Sequence, residues 1–240
     1  MTTKALANVT EQLAAMAKKA SQVEKPTGST IGVRAGVLSY NGTAVQNNKL
    51  DVIVVASTHA NLFYEGEFDP NNLANPVCWA YSDDGENMVP SAASTKRQAD
   101  SCAECPQNKW GSDPKPGSKG KACKNVRALG LIHASTKAED IPTAEIAVLK
   151  LPVMSVKNWQ NYVQKCTALH NRPPLGVLTQ IGTVPDQKSQ FRITFQDLGL
   201  VELANIGALI DRVDAAAELL KKDYEANAEP GEAKPANKKF

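Results

Sequence analysis

Charge of one sign is not in surplus here: 27 Lys and Arg against 25 Asp and Glu leave a net charge of +2 over 240 residues. The overall balance therefore names no partner, and only the placement of charge can. Aromatics are sparse, thirteen in all, which is low for a protein that lives by stacking bases. Histidine is scarcer still. His59, His133 and His170 stand far apart, each in a strand-like or helix-end setting that reads as core or surface. No nucleophile and base recur at a defined spacing. Gly117-Ser-Lys-Gly-Lys121 lacks both the spacing and the strand-to-helix context of a phosphate-binding loop, and Asp83-Asp84-Gly85-Glu86 reads as an exposed turn. The expectation is a protein that is not an enzyme. No apolar run reaches the length that crosses a bilayer, and Met1 to Val9 lacks the apolar stretch of a signal peptide. No internal repeat is visible.

What the chain does have is cysteine in a pattern: Cys78, then Cys102-x-x-Cys105, then Cys123. A Cys-x-x-Cys knuckle turns two thiolates toward one metal ion. The surrounding stretch, Cys102 to Lys124, is too rich in Gly, Pro, Ser and Lys to build an apolar core of its own. Four sulfurs around one ion would order it. The spacing predicts a structural zinc on Cys78, Cys102, Cys105 and Cys123, with an iron–sulfur cluster as the alternative. The fifth cysteine, Cys166, falls on the apolar face of an expected helix and reads as core. An odd cysteine count without an export signal points to a reducing cytoplasm.

The periodicity predicts a mainly β chain with α elements, an α+β fold. Residues 1–28 read as an amphipathic helix, with Leu6, Val9, Leu13 and Met16 on one face, and a linker. Residues 29–200 read as a small barrel resembling the oligonucleotide-binding (OB) type, with a metal-binding insertion at about 76–126. Strands are expected at 31–40, 49–57, 126–133, 144–153, 176–181 and 190–196, with a hairpin turn at Asn41-Gly42. In the last strand Phe191, Ile193 and Phe195 alternate with polar neighbours. Ser155 is expected to cap a helix running to His170 with Val156, Trp159, Val163 and Cys166 on one face. A C-terminal helix is expected within 201–224, and a disordered tail at 225–240.

Charge and aromatics are both uneven near the cysteines. Lys96, Arg97, Lys109, Lys115, Lys119, Lys121, Lys124 and Arg127 are opposed only by Asp100, Glu104 and Asp113. Phe63, Tyr64, Phe68, Trp79 and Tyr81 crowd just before them, and Trp110 lies inside the loop. Basic grooves lined by aromatic faces grip single-stranded nucleic acid. The candidate contacts are Lys109, Trp110, Lys115, Lys119, Lys121, Lys124, Arg127, Tyr64, Trp79 and Tyr81.

The stretch from Phe63 to Cys78, with Cys102-Ala-Glu-Cys105-Pro106-Gln-Asn108-Lys-Trp110-Gly111-Ser112 and Gly120-Lys121-Ala-Cys123-Lys124, resembles small proteins of tailed bacteriophages, some of which look like single-stranded-DNA-binding proteins. The resemblance covers roughly residues 30–200, and the cysteine module is its specific part. It implies phage DNA replication or recombination in the host cytoplasm, single-stranded DNA as partner, phage or host replication proteins as further partners, and metal on the four cysteines. The chain departs from many such proteins at its end, where Glu225, Glu229 and Glu232 are balanced by Lys234, Lys238 and Lys239. Two rival readings remain: a phage structural or host-interaction protein that docks through the zinc loop, and a nuclease-like or iron–sulfur enzyme of DNA metabolism.

Overall fold

The computed structural model describes Gln12, Leu13, Met16 and residues 29–66 and 74–224. Gln12, Leu13 and Met16 are helical and exposed. The rest of the expected N-terminal helix, and the expected tail at 225–240, lie outside the described residues.

Nine strands form one sheet among the described residues: β1 (Ser29–Arg34), β2 (Val37–Tyr40), β3 (Thr43–Ala44), β4 (Lys49–Phe63), β5 (Cys78–Ser82), β6 (Lys124–His133), β7 (Ala147–Leu151), β8 (Val177–Asp186) and β9 (Gln190–Leu200). Besides the helical Gln12, Leu13 and Met16, three α-helices accompany them among the described residues: α1 (Val153–His170), α2 (Leu203–Ile210) and α3 (Val213–Leu220). The sheet runs β3-β2-β1-β7-β6-β4-β8-β9, and β5 pairs with the far half of β4. Every pair is antiparallel except β1 with β7. The fold is mainly β with a few helices, and the sheet curls into a half-barrel.

The curl has two visible causes. β4 is fifteen residues long and slips register against β6 between Val54 and Ala56, the kind of irregularity that bends a strand and raises its twist. The β1–β2 turn then meets β8 through side chains rather than a ladder. Asn48 accepts from Leu38 N–H at 2.6 Å and donates Nδ2–H to Gly36 O at 2.8 Å and to Thr183 Oγ1 at 2.5 Å.

Helices cover both faces. Val52, Val54, Leu129, Leu131 and Leu149 pack with Trp159, Tyr162 and Cys166 of α1. Ile53, Val55 and Ile132 pack with Leu209 of α2 and Ala216 of α3 on the opposite face. A strand buried on both sides reads as a continuous apolar run, as Val52-Ile-Val-Val55 does. Gly130 lets α3 approach: a Cβ there would stand 3.3 Å from both Ala216 and Ile146 side chains.

Four expectations need correction. The run at 31–40 is two strands, because Ala35 and Gly36 adopt φ of 50° and 80° and close a tight hairpin. Strand β4 extends six residues beyond 57. Ser155 is not a cap: Pro152 precedes the helix, and the buried Ser155 Oγ accepts from Ile193 N–H at 2.9 Å, fastening α1 to β9. The C-terminal helix is two helices, broken where Arg212 donates to Pro142 O and, at 2.7 Å, to Ala144 O. The alternation in β9 stands, with Ile193 buried and Phe191 and Phe195 packed against the same core.

Candidate metal centre and nucleic-acid interface

The far half of β4 lies between β5 and β6. Phe63 is opposite Cys78, and Asn61 is opposite both Ala80 and Asn125. The pleat therefore puts Asn61, Phe63, Cys78, Ala80 and Asn125 on one face, and Leu62, Trp79 and Val126 on the other. Residues 83–123 connect β5 to β6 with a single 3-10 turn, Pro106–Asn108. The connection folds back over the Asn61 face. Cys102 N–H donates to Met88 O at 2.9 Å and Cys123 N–H to Gln107 O at 2.8 Å. Ala80, Met88 and Cys102 form a small buried cluster.

Cys78, Cys102, Cys105 and Cys123 are all buried and all free of disulfides. Burial pushes the Cys123 thiol up to about 12, and the charges of Cys102, Cys105 and Cys78 push the same way. Burial likewise raises Cys102, with Cys78 and Cys105 adding to it and the Asn61 amide opposing. Cys123 and Cys102 thus each feel the other cysteines of the set as electrostatic neighbours. Among the described residues no three His, Cys, Asp or Glu side chains are closed to metal-holding distance. As a donor set, four buried sulfurs without disulfides are of the kind that holds a soft cation. Cys166 is separate, 1% exposed against Trp159 and Tyr162.

An amide network that the sequence reading missed underlies the loop. Asn125 Nδ2 donates to Asn61 Oδ1 and, at 3.0 Å, to Asn108 Oδ1. Asn108 Nδ2 donates to Cys102 O at 2.8 Å. Lys121 Nζ reaches Asn125 Oδ1 at 2.9 Å and Asn108 Oδ1 at 3.2 Å. The available signal was Asn61, a polar residue inside the apolar run of β4, since buried amides need partners.

The candidate nucleic-acid contacts fall into distinct settings. Trp110 is 80% exposed, with Lys121 Nζ 5.3 Å from its ring centroid. Lys109, Lys115 and Lys119 are exposed on the same loop. Lys121 is tied into the amide network, and Lys124 Nζ donates to Lys121 O at 2.9 Å and lies 3.6 Å from Asp113. Arg127 is half-buried on β6, and Tyr64 is 39% exposed. Trp79 needs correction as a stacking face. It is 1% exposed, covered by Tyr224 at 5.4 Å edge-on, with Nε1–H donated to Asp223 Oδ1 at 2.6 Å. Tyr81 is held beside it, its hydroxyl donating to Lys222 O at 3.2 Å.

Of the other histidines, His133 is exposed beside Ser135, and His170 Nε2 lies 2.6 Å from Asp197 Oδ2. No helix among the described residues is long and apolar enough to cross a membrane. Compared with protein-family models, curated proteins and solved structures, the chain has no match.

Proposed function

We propose that this chain binds single-stranded DNA with little sequence preference, as a phage replication or recombination protein working in the host cytoplasm. In this reading the half-barrel is an OB-like body, and residues 83–123 are an insertion ordered by one zinc, or an iron–sulfur cluster, on Cys78, Cys102, Cys105 and Cys123. The metal supplies the counter-charge that lets the buried thiols ionise together.

The observation that carries the reading is the exposed Trp110 indole. Four-fifths of this aromatic side chain lies in water, where its face is open to a base. Lys121, anchored on Asn108 and Asn125, lies over the ring, while Lys109, Lys115 and Lys119 are exposed on the same loop. An exposed aromatic face on a loop with exposed cations is what base stacking and phosphate neutralisation require. Arg127 extends the surface; Tyr64 neighbours Tyr81 and Tyr224, and Trp79 and Tyr81 serve packing. The test is a gel shift with a single-stranded oligonucleotide against the same sequence as duplex. Preference for the single strand supports the reading. No binding at low salt by the metal-loaded chain removes it and favours a protein-docking loop.

A further inference from the structure

His59 on β4 and Arg127 on β6 are direct partners across the ladder. Their side chains leave the same face of the sheet from Cα atoms about 5 Å apart. Two residues nearer the cysteine loop on that face stand Asn61 and Asn125, with Lys121 Nζ on the Asn125 amide at 2.9 Å. The period of the strand puts Arg127 about 7 Å beyond Asn125. A cationic row thus runs from the Trp110 loop onto the sheet.

Among the described residues neither member of the pair meets a carboxylate. The Arg127 guanidinium meets a single carbonyl, Nη1 donating to Val126 O at 3.0 Å. No carboxylate pairs with it among the described residues. His59 Nδ1 is buried with no hydrogen-bond partner. The ring is fixed from behind: a Cβ on Gly85 would come within 2.6 Å of His59 Cδ2. The acids near His59 are engaged elsewhere. Asp84 accepts from Ser82 Oγ–H at 2.6 Å and Glu86 N–H at 2.8 Å, and Asp83 pairs with Lys221 at 2.7 Å. Arg127 thus faces a histidine rather than an acid across the ladder and lacks an anionic acceptor.

We propose that Arg127, seated opposite His59, forms a phosphate subsite, which receives a phosphodiester of the strand whose neighbouring base meets the Trp110 loop; this rests on the single-strand reading above. Arg127 has N–H groups left for two phosphate oxygens, and the His59 ring beside it senses the charge that arrives there. Burial, and then the charge of Arg127, hold His59 below its usual value, while backbone hydrogen bonds at Asp83 and Ser82 and the charge of Asp84 act the other way. A bound phosphate opposes the Arg127 effect.

The test uses the full metal-loaded chain and two probes, inorganic phosphate and an oligothymidylate, with the His59 ring resonances followed by NMR. Inorganic phosphate should shift the His59 signals in the wild type and leave them unmoved in Arg127→Ala. The same variant should bind oligothymidylate about tenfold more weakly, the scale of one charge-assisted hydrogen bond. Its salt slope should fall by about 0.7. His59→Gln should show a smaller loss, and Arg127→Lys should recover the slope. Phosphate that shifts His59 without oligonucleotide binding keeps the subsite and removes the single-strand reading. Oligonucleotide binding that ignores both residues, with His59 unmoved by phosphate, overturns the subsite and leaves that reading intact.

Discussion

Lys121 Nζ sits 5.3 Å from the centre of the Trp110 ring while its hydrogen bonds go to Asn108 and Asn125. One lysine thereby connects the exposed indole of the loop to the buried amides of the sheet. The two residues should consequently fail in different ways. Lys121→Met should lower stability by about 1–3 kcal/mol, since it removes hydrogen bonds from a charged donor and a cation over a ring. Trp110→Ala should leave the melting temperature nearly unchanged, because little of the indole is packed, and weaken single-strand binding by about 1–3 kcal/mol. A thermal melt beside a binding assay separates them. A Trp110→Ala protein that melts early and binds normally would place the indole in the loop's packing instead.

The metal assignment makes a stoichiometric claim. Elemental analysis should return about one zinc per chain, unchanged by Cys166→Ala and lost in Cys102→Ala with Cys105→Ala. Cys166→Ala should cost stability on the order of 1 kcal/mol, because that thiol fills space against Trp159 and Tyr162. Iron with absorbance near 400 nm would replace zinc by the cluster.

Chelation should loosen the loop and spare the sheet. Amides whose bonds lie within the loop, Cys102 N–H to Met88 O and Cys123 N–H to Gln107 O, should exchange faster after metal removal. Those of β4 at Val52–Val55, buried on both faces, should keep their protection. Collapse of the entire far-ultraviolet spectrum on chelation would contradict this division.

Trp79 reports on the last described residues. Its Nε1–H is shared with Asp223, which also accepts from Ser91 Oγ–H at 2.8 Å. Asp223→Ala leaves a buried donor unpaired and should cost about 1–3 kcal/mol. A change at Tyr224, which covers the ring, should move tryptophan emission to longer wavelength. Emission that stays put would show that Trp79 is shielded without that residue.

Acid should weaken the junction of α1 and β9. The His170 hydrogen bond, with smaller help from Gly199 N–H, holds Asp197 below the usual carboxylate range. A depressed carboxylate contributes stability that is present above its unfolded value, about 3.9, and is lost as pH falls through the lower folded one. Asp197→Asn should therefore be less stable near neutrality and show a flatter decline at pH below 4, measured by urea denaturation across pH.

Local patterns made much of this fold legible. The alternation of Phe191, Ile193 and Phe195, the Asn41-Gly42 turn and the apolar run in β4 each report the backbone that they occupy. What the sequence hid depends on distant partners. Trp79 looks like an open aromatic until Tyr224, 145 positions later, lies across it. The break before Val213 follows from Arg212 reaching the carbonyls of Pro142 and Ala144. Ala35 gave no turn signal because alanine seldom takes a positive φ. At the candidate site, spacing picks out the cysteines, but the Asn61, Asn108 and Asn125 network arises only when the loop folds back onto β4 and β6.

The central claim is that the cationic loop and its indole grip a single strand, and a salt titration of oligothymidylate binding by the intact, metal-loaded chain tests it most directly. The account predicts binding that prefers the single strand over the same duplex and weakens steeply with salt. The logarithmic slope should be about −0.7 per phosphate contact, and it should flatten by about 2 when Lys109, Lys115 and Lys119 are replaced together by Ala. Binding that is absent at low salt, or that survives the triple replacement with its slope intact, would contradict it.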